Sequence, residues 1–353
     1  MKRLIVAVLI CIPLAGAFNL LLAQATPSPA LLVLAKRDSS LAIVDPATLK
    51  VVAHVPAGPD PHEVAASPDG KLAFASNYGF GAYHTISVID LVNQKALPAI
   101  NLWPLRGPHG LTFAGGELYF TAEVNKVIGR YDPATRKVDW VLGTGQDRTH
   151  MVWVSRDLER IYTSNVNSAT VSIIEKRAGP AGGGTPPPRL PNGPPGMPPG
   201  PRPPDWSETV VPVGRGSEGF DVSPDGRELW VANAQDGTIS IIDLGAKTVI
   251  QTLDANIRGA NRLKFTLDGK LALVSSLADG NLTMFDAKSR RVVKRLKLGH
   301  GCAGILMQPD GTRAYVACSP DNYVAVIDLK TLEVAGRIEP GREPDGMAWA
   351  VRE

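Results

Sequence analysis

Cysteine is scarce in this chain, with three in 353 residues, at positions 11, 302 and 318. None lies in a Cys-x-x-Cys-His run, so covalent c-type haem attachment is excluded. There is also no G-x-S-x-G elbow, no H-E-x-x-H pair and no Walker loop. A serine hydrolase of the elbow type, a zincin and an NTPase therefore lack support. Aromatic residues make up 6% and charged residues 20%, and the formal net charge is +3. With no Lys/Arg run and no aromatic-basic stripe, no nucleic-acid partner is expected. Past the N-terminus, no stretch is apolar enough to span a bilayer.

What the chain does have is glycine (35), proline (30) and a 44% hydrophobic content. That is a folded composition with many short strands and tight turns. The N-terminus reads as an export signal. Lys2 and Arg3 precede an apolar run from Leu4 to Leu22, and Ala23-Gln24-Ala25 is an A-x-A cleavage site. A retained membrane anchor is the alternative, but Pro13 and Asn19 interrupt the run. Cys11 follows Ile10 and sits too early for a lipoprotein. The expected mature chain starts near Thr26, is periplasmic or secreted, has no transmembrane span, and is a monomer with Cys302 and Cys318 as its remaining cysteines.

Seven apolar segments end in an acid: Asp45, Asp90, Asp132, Glu175, Asp243, Asp286 and Asp328, at spacings of 45, 42, 43, 68, 43 and 42. Between them recur tight turns: Ser67-Pro68-Asp69-Gly70, Ser223-Pro224-Asp225-Gly226, Gln308-Pro309-Asp310-Gly311 and the variants Thr266-Leu267-Asp268-Gly269 and Ser155-Arg156-Asp157-Leu158. Proline presets the first turn position and glycine accepts positive φ at the end. A period near 42 holding four strands is a propeller blade. The terminal acids suit a structural role, each bonding the backbone of the following turn. The predicted fold is all-β, a seven-bladed β-propeller of four-stranded blades, with the C-terminal strand A completing a blade with the N-terminal strands B to D. An open tandem array would leave two bare sheet edges.

The unit resembles the YVTN-repeat propellers of exported and surface-layer proteins. Gly214, Ser217, Gly219, Ser223-Pro224-Asp225-Gly226, Val231-Ala232-Asn233 and Ile241-Ile242-Asp243 follow its pattern, and the resemblance covers nearly all of Leu31 to Val351. It implies a fold rather than a function, since related propellers include lactonases, dehydrogenase subunits, haem-binding domains and binding scaffolds. The long spacing holds an insertion, residues 176–208, with twelve prolines and seven glycines. Such a segment cannot pack a core, and it is expected between strands C and D of blade 4, on the face opposite the channel mouth discussed next. It reads either as a tether or as a tolerated surface loop.

Propeller ligands meet the channel where strand D of one blade passes to strand A of the next. Aligned there, the seven repeats present His62, His109, His150, Glu218, Asn261, Ala303 and Asp345. Imidazole and carboxylate together suit a divalent metal or acid/base work, with His62, His109 and His150 as candidate metal ligands and, with Glu218, candidate catalytic groups. The plainer explanation is polar side chains filling a solvated channel. Three residues earlier run Pro59, Arg106, Arg215, Arg258, His300 and Arg342, with Arg148 two before His150. These arginines either form a positive rim for an anion or pair with carboxylates of a neighbouring blade. The loop from Asn77 to His84 holds two glycines and the aromatics Tyr78, Phe80 and Tyr83. Tyr83 and His84 are candidate ligand contacts in a lid, unless the loop simply packs on its neighbour.

Cys302 and Cys318 lie eight residues either side of Asp310, which centres a turn, so they face each other and suit a disulfide. A free thiol beside His300 is the alternative. Function stays open among three readings. One is a cell-envelope binding protein holding an anionic small molecule or a partner segment at the mouth. The second is a lactonase-like hydrolase using the channel histidines, with or without a metal. The third is a haem- or quinone-linked redox role with a channel histidine as axial ligand.

Overall fold

The computed structural model describes residues 24–177 and 206–352. They form seven four-stranded antiparallel sheets arranged as the blades of a propeller. Blade 1 is composite. Its strand A is Pro344–Ala350, paired through Leu31↔Trp349 and Val33↔Met347 with strand B, Ala30–Ala35. Strands C and D of that blade are Ser40–Asp45 and Lys50–Pro56. The ring is thus closed by the two ends of the chain, and no bare edge remains at the junction. The expected export signal and most of the Pro/Gly-rich insertion lie outside the described residues. The strands flanking the insertion are C and D of blade 4, Thr170–Lys176 and Trp206–Pro212. Among the described residues no helix is long and apolar enough to cross a membrane.

The recurring motifs serve the blades locally. Gly70, Gly226, Gly269 and Gly311 all have φ near +70°, and each donates its N–H back across the turn. Asp45, Asp90, Asp132 and Asp328 accept from the backbone N–H two residues on, at 2.7–3.0 Å. Side chains from adjacent blades then pack face to face. Phe74, Leu118 and Phe120 share one such cluster, and Trp230, Phe265 and Phe285 another.

Two devices near the channel aim the site. Strand A carries a bulge in blades 2 to 6, for example between Pro61↔Asn77 and Val64↔Ala75. The bulge leaves two residues without ladder partners and re-aims them toward the axis. In blade 3 the freed Gly110 N–H donates to Thr121 Oγ1 at 2.9 Å, and that hydroxyl donates to the carbonyl of His150 in blade 4 at 2.7 Å. Ser275 makes the same link from Arg262 to Ala303. Glycine follows the ring position in four blades. A Cβ on Gly346 would stand 2.2 Å from the His62 carbonyl oxygen, and one on Gly219 2.6 Å from that of Asn261. Those glycines let each ring carbonyl approach its neighbouring blade.

Candidate functional site at the channel mouth

The seven aligned residues form one ring. His62, His109, His150, Asn261, Ala303 and Asp345 are buried, and the Glu218 side chain is nearly so. His62 meets His109 edge-on, with ring centroids 5.3 Å apart, and His109 lies at 3.7 Å from His150. His150 Nε2 is 2.9 Å from Glu218 Oε2, without the alignment of a hydrogen bond. Its Nδ1 shares a hydrogen bond with Glu123 Oε1. At the other end of the histidine run, His62 Nε2 is 3.1 Å from Asp60 Oδ1, and its Nδ1 is 3.9 Å from Asp345. Asn261 Oδ1 accepts from Arg262, while Ala303 contributes no polar group.

The two inner imidazoles are in opposite electrostatic settings. Burial, then the neighbouring His150 and His62, hold His109 well below the usual histidine range, so it is neutral. Burial also opposes charge on His150, but Glu218 and Glu123 outweigh it and raise its pKa. Glu218 itself is drawn down to about 2, because His150 and Arg148 overcome the cost of its burial.

Further charges reach the ring from positions that the ring alignment did not single out. Three of these, Lys36, Tyr78 and Glu123, immediately follow strand B of their blades. Lys36 Nζ donates to Asp345 at 2.9 Å, and Tyr78 O–H donates to Glu123 Oε2 at 2.5 Å. Arg262, next to the ring position of blade 6, pairs with Glu63 of blade 2 across the channel. Both side chains of this pair are largely buried. Aligning the residue after strand B (Lys36, Tyr78, Glu123, Val166, Ala234, Leu277, Ser319) brings these groups into register, but the set shares no chemistry that would mark it.

The arginine column divides. Arg215 pairs with Asp236 at 2.7 Å, and Arg342 with Asp38 at 2.6 Å. His300 pairs with Asp321 at 2.6 Å. In each case the backbone N–H of the same residue also donates to that carboxylate. Arg106 N–H similarly donates to Asn125, and the Arg258 carbonyl accepts from Ser276. These clasps tie each D–A loop, the link between two blades, to the B–C loop of the blade that follows. Arg148 differs: it turns inward, 3.5 Å from both Glu123 and Glu218.

Above this buried set lies an open depression of about 390 Å³, bounded by Tyr78, Phe80, Glu123, Val124, Asp147, Arg148 and Asn167. Phe80 is 82% exposed and sits at φ 49°, ψ 40° between Gly79 and Gly81, which also have positive φ. Tyr83 and His84 stand outside that lining. The Tyr83 ring covers Gly79, and His84 is 3.1 Å from Asn101 and edge-on to Trp103. The lid loop therefore offers Tyr78 and Phe80 to the mouth.

Cys302 and Cys318 are buried thiols with Sγ atoms 2.7 Å apart. The A–B ladder of blade 7 pairs Ile305↔Val316, a register that would set Cys302 opposite Ser319. The one-residue shift seen at the bulges of the other blades brings Cys318 there instead. Cys302 is fully buried and its thiol is pushed up by Cys318 and by burial, so it is no exposed nucleophile.

No family model and no curated protein matches the chain. Solved structures do share its fold. A protein of unknown function from Desulfotomaculum acetoxidans superposes with a TM-score of 0.70 at 14% identity, over 92% of this chain and 100% of that one. A provisionally assigned 6-phosphogluconolactonase from Bacteroides uniformis gives 0.70 at 15% identity, over 91% and 99%. Dihydro-heme d1 dehydrogenase gives 0.61 at 15% identity, over 92% and 76%. At these identities the likeness is one of fold.

Proposed function

We propose that the protein is an exported binding propeller that takes a small hydroxylated monoanion at the channel mouth. The depression above the ring carries this reading. Its volume, about 390 Å³, suits a small molecule. Arg148 is the cation of its lining, and its guanidinium fork suits a carboxylate. Glu123, Asp147 and Asn167 accept hydrogen bonds from hydroxyls and would repel a second negative charge. Phe80 offers an exposed face to the apolar side of a ring.

A hydrolase working through a free imidazole base has less support. His150 faces carboxylates at both nitrogens, and His109 is 2% exposed, away from the depression lining.

A thermal-shift series with gluconate and glucuronate, against glucose and sorbitol, tests the proposal. The acids should raise the midpoint and the neutral compounds should not, because a ligand bound only by the folded state stabilises it. Arg148→Gln should weaken acid binding at least tenfold. Equal shifts from the neutral sugars, or unchanged binding by a folded Arg148→Gln protein, would refute it.

A further inference from the structure

We infer that His109, Glu123 and His150 form a binding site for one divalent first-row transition-metal ion at the base of the mouth. One nitrogen of each imidazole and one oxygen of Glu123 lie within 4.8 Å of one another, and all three residues are buried. They come from different places in the chain: His109 and His150 from the strand-A bulges of blades 3 and 4, Glu123 from the residue after strand B of blade 3. Metal bonds to imidazole nitrogen and carboxylate oxygen are about 2.0–2.2 Å long, so ligand atoms around one ion stand roughly 3–4 Å apart. An ion seated between His150 Nδ1 and Glu123 Oε1 would take the place of the hydrogen bond they now share.

Two observations point to an ion rather than a self-contained network. The first is that His109 Nδ1 has no hydrogen-bond partner although the residue is 2% exposed. A buried ring nitrogen without a partner is costly, and coordination satisfies it. The second is that the carboxylate is already held as a ligand would be. Tyr78 O–H donates to its Oε2 and Arg148 stands 3.5 Å away. Such outer contacts orient ligands at metal sites.

The donor set, two imidazoles and one carboxylate, favours Zn²⁺, Fe²⁺, Co²⁺ or Ni²⁺ over Ca²⁺ or Mg²⁺, which prefer all-oxygen surroundings. Glu123 and Glu218 bring two negative charges to the site, against the one positive charge of Arg148 3.5 Å from each. His62, a ligand candidate from the sequence, is not among the residues whose ligand atoms converge here, and Glu123 takes its place. Glu123 also borders the depression, so an ion in this site would face the mouth and strengthen its pull on an anion. The site does not depend on the monoanion reading and is tested without any organic ligand.

The test is titration of chelator-treated full-length protein with Co²⁺, followed by its visible absorption, and with Zn²⁺, followed by calorimetry. One ion per chain is expected, with the Co²⁺ bands of mixed nitrogen and oxygen ligation. His109→Ala and Glu123→Gln should each weaken binding at least tenfold and change the spectrum. His84→Ala, on the exposed surface, should leave both unchanged. Circular dichroism identifies any variant that fails to fold, and the conservative Glu123→Gln keeps the test open if His109→Ala does so. Absence of binding at millimolar Co²⁺, or wild-type binding by folded His109→Ala and Glu123→Gln, overturns the site.

Discussion

At the scale of residues, the mouth is a set of buried charges that hold one another in place. Asp345 shows the balance most clearly. Burial opposes its charge, yet Lys36, Arg262 and His62 draw its pKa from 3.8 down to about 2. A carboxyl whose folded pKa lies below its unfolded value stabilises the fold above the unfolded value and loses that contribution as pH falls toward the folded one. Asp345 therefore stabilises at neutral pH and ceases to do so between about pH 4 and 2. Lys36→Met removes the hydrogen-bonded cation from Asp345 and leaves Arg262 and His62 nearby, a cost of about 1.5–3 kcal/mol at pH 7. Thermal melts should show a wide gap between wild type and Lys36→Met at pH 7 that narrows by pH 2.5. A gap of constant width would show that the pair is not what holds the Asp345 charge. The ring itself was legible in the sequence, because tandem repeats place equivalent residues in one column. Lys36, Tyr78, Glu123 and Arg262 were not, because each stands alone in a column of unlike residues. Their roles come from crossing between blades, and no single repeat contains that information.

At the scale of elements, the strand-A bulge and the glycine beside it turn a blade into a site-building unit. The acids ending strand C and the Pro-Asp-Gly turns were readable as punctuation, since their hydrogen bonds close within a few residues. The bulge was not, because it arises from contact with the next blade. One of its consequences was visible all the same, glycine at 110, 219, 304 and 346 next to the ring, whereas the offset of the cysteines shows only against the ladder of blade 7. Gly346→Ala tests this packing. Its Cβ would meet the His62 carbonyl oxygen at 2.2 Å and the Glu63 Cα at 2.9 Å, both on the backbone. Overpacking of this kind costs about 1–3 kcal/mol. Gly143→Ala, with nothing within 4 Å, should change stability by less than about 0.5 kcal/mol. Chemical denaturation of the two variants should separate them. Equal stabilities would mean that the blades do not close against one another as tightly as the structure shows.

At the scale of the whole molecule, seven blades around an axis gather histidines and acids that lie far apart in the chain. The pair Arg262–Glu63 links blades 6 and 2 across the axis. The result is a ring of buried charge under an open mouth. Blade number and closure were clear from period and chain ends. The loop clasps, which neutralise Arg215 and Arg342 and leave Arg148 turned inward, became clear only in three dimensions.

The mouth between Phe80 and Arg148 is the proposed ligand site. A crystal structure of the protein soaked with gluconate tests this most directly. The predicted result is density for the acid in that depression, with its carboxylate on Arg148 and its hydroxyls toward Glu123 and Asn167. Density confined to the apolar groove between blades 2 and 3, lined by Leu97, Ile100 and Tyr131, would contradict it.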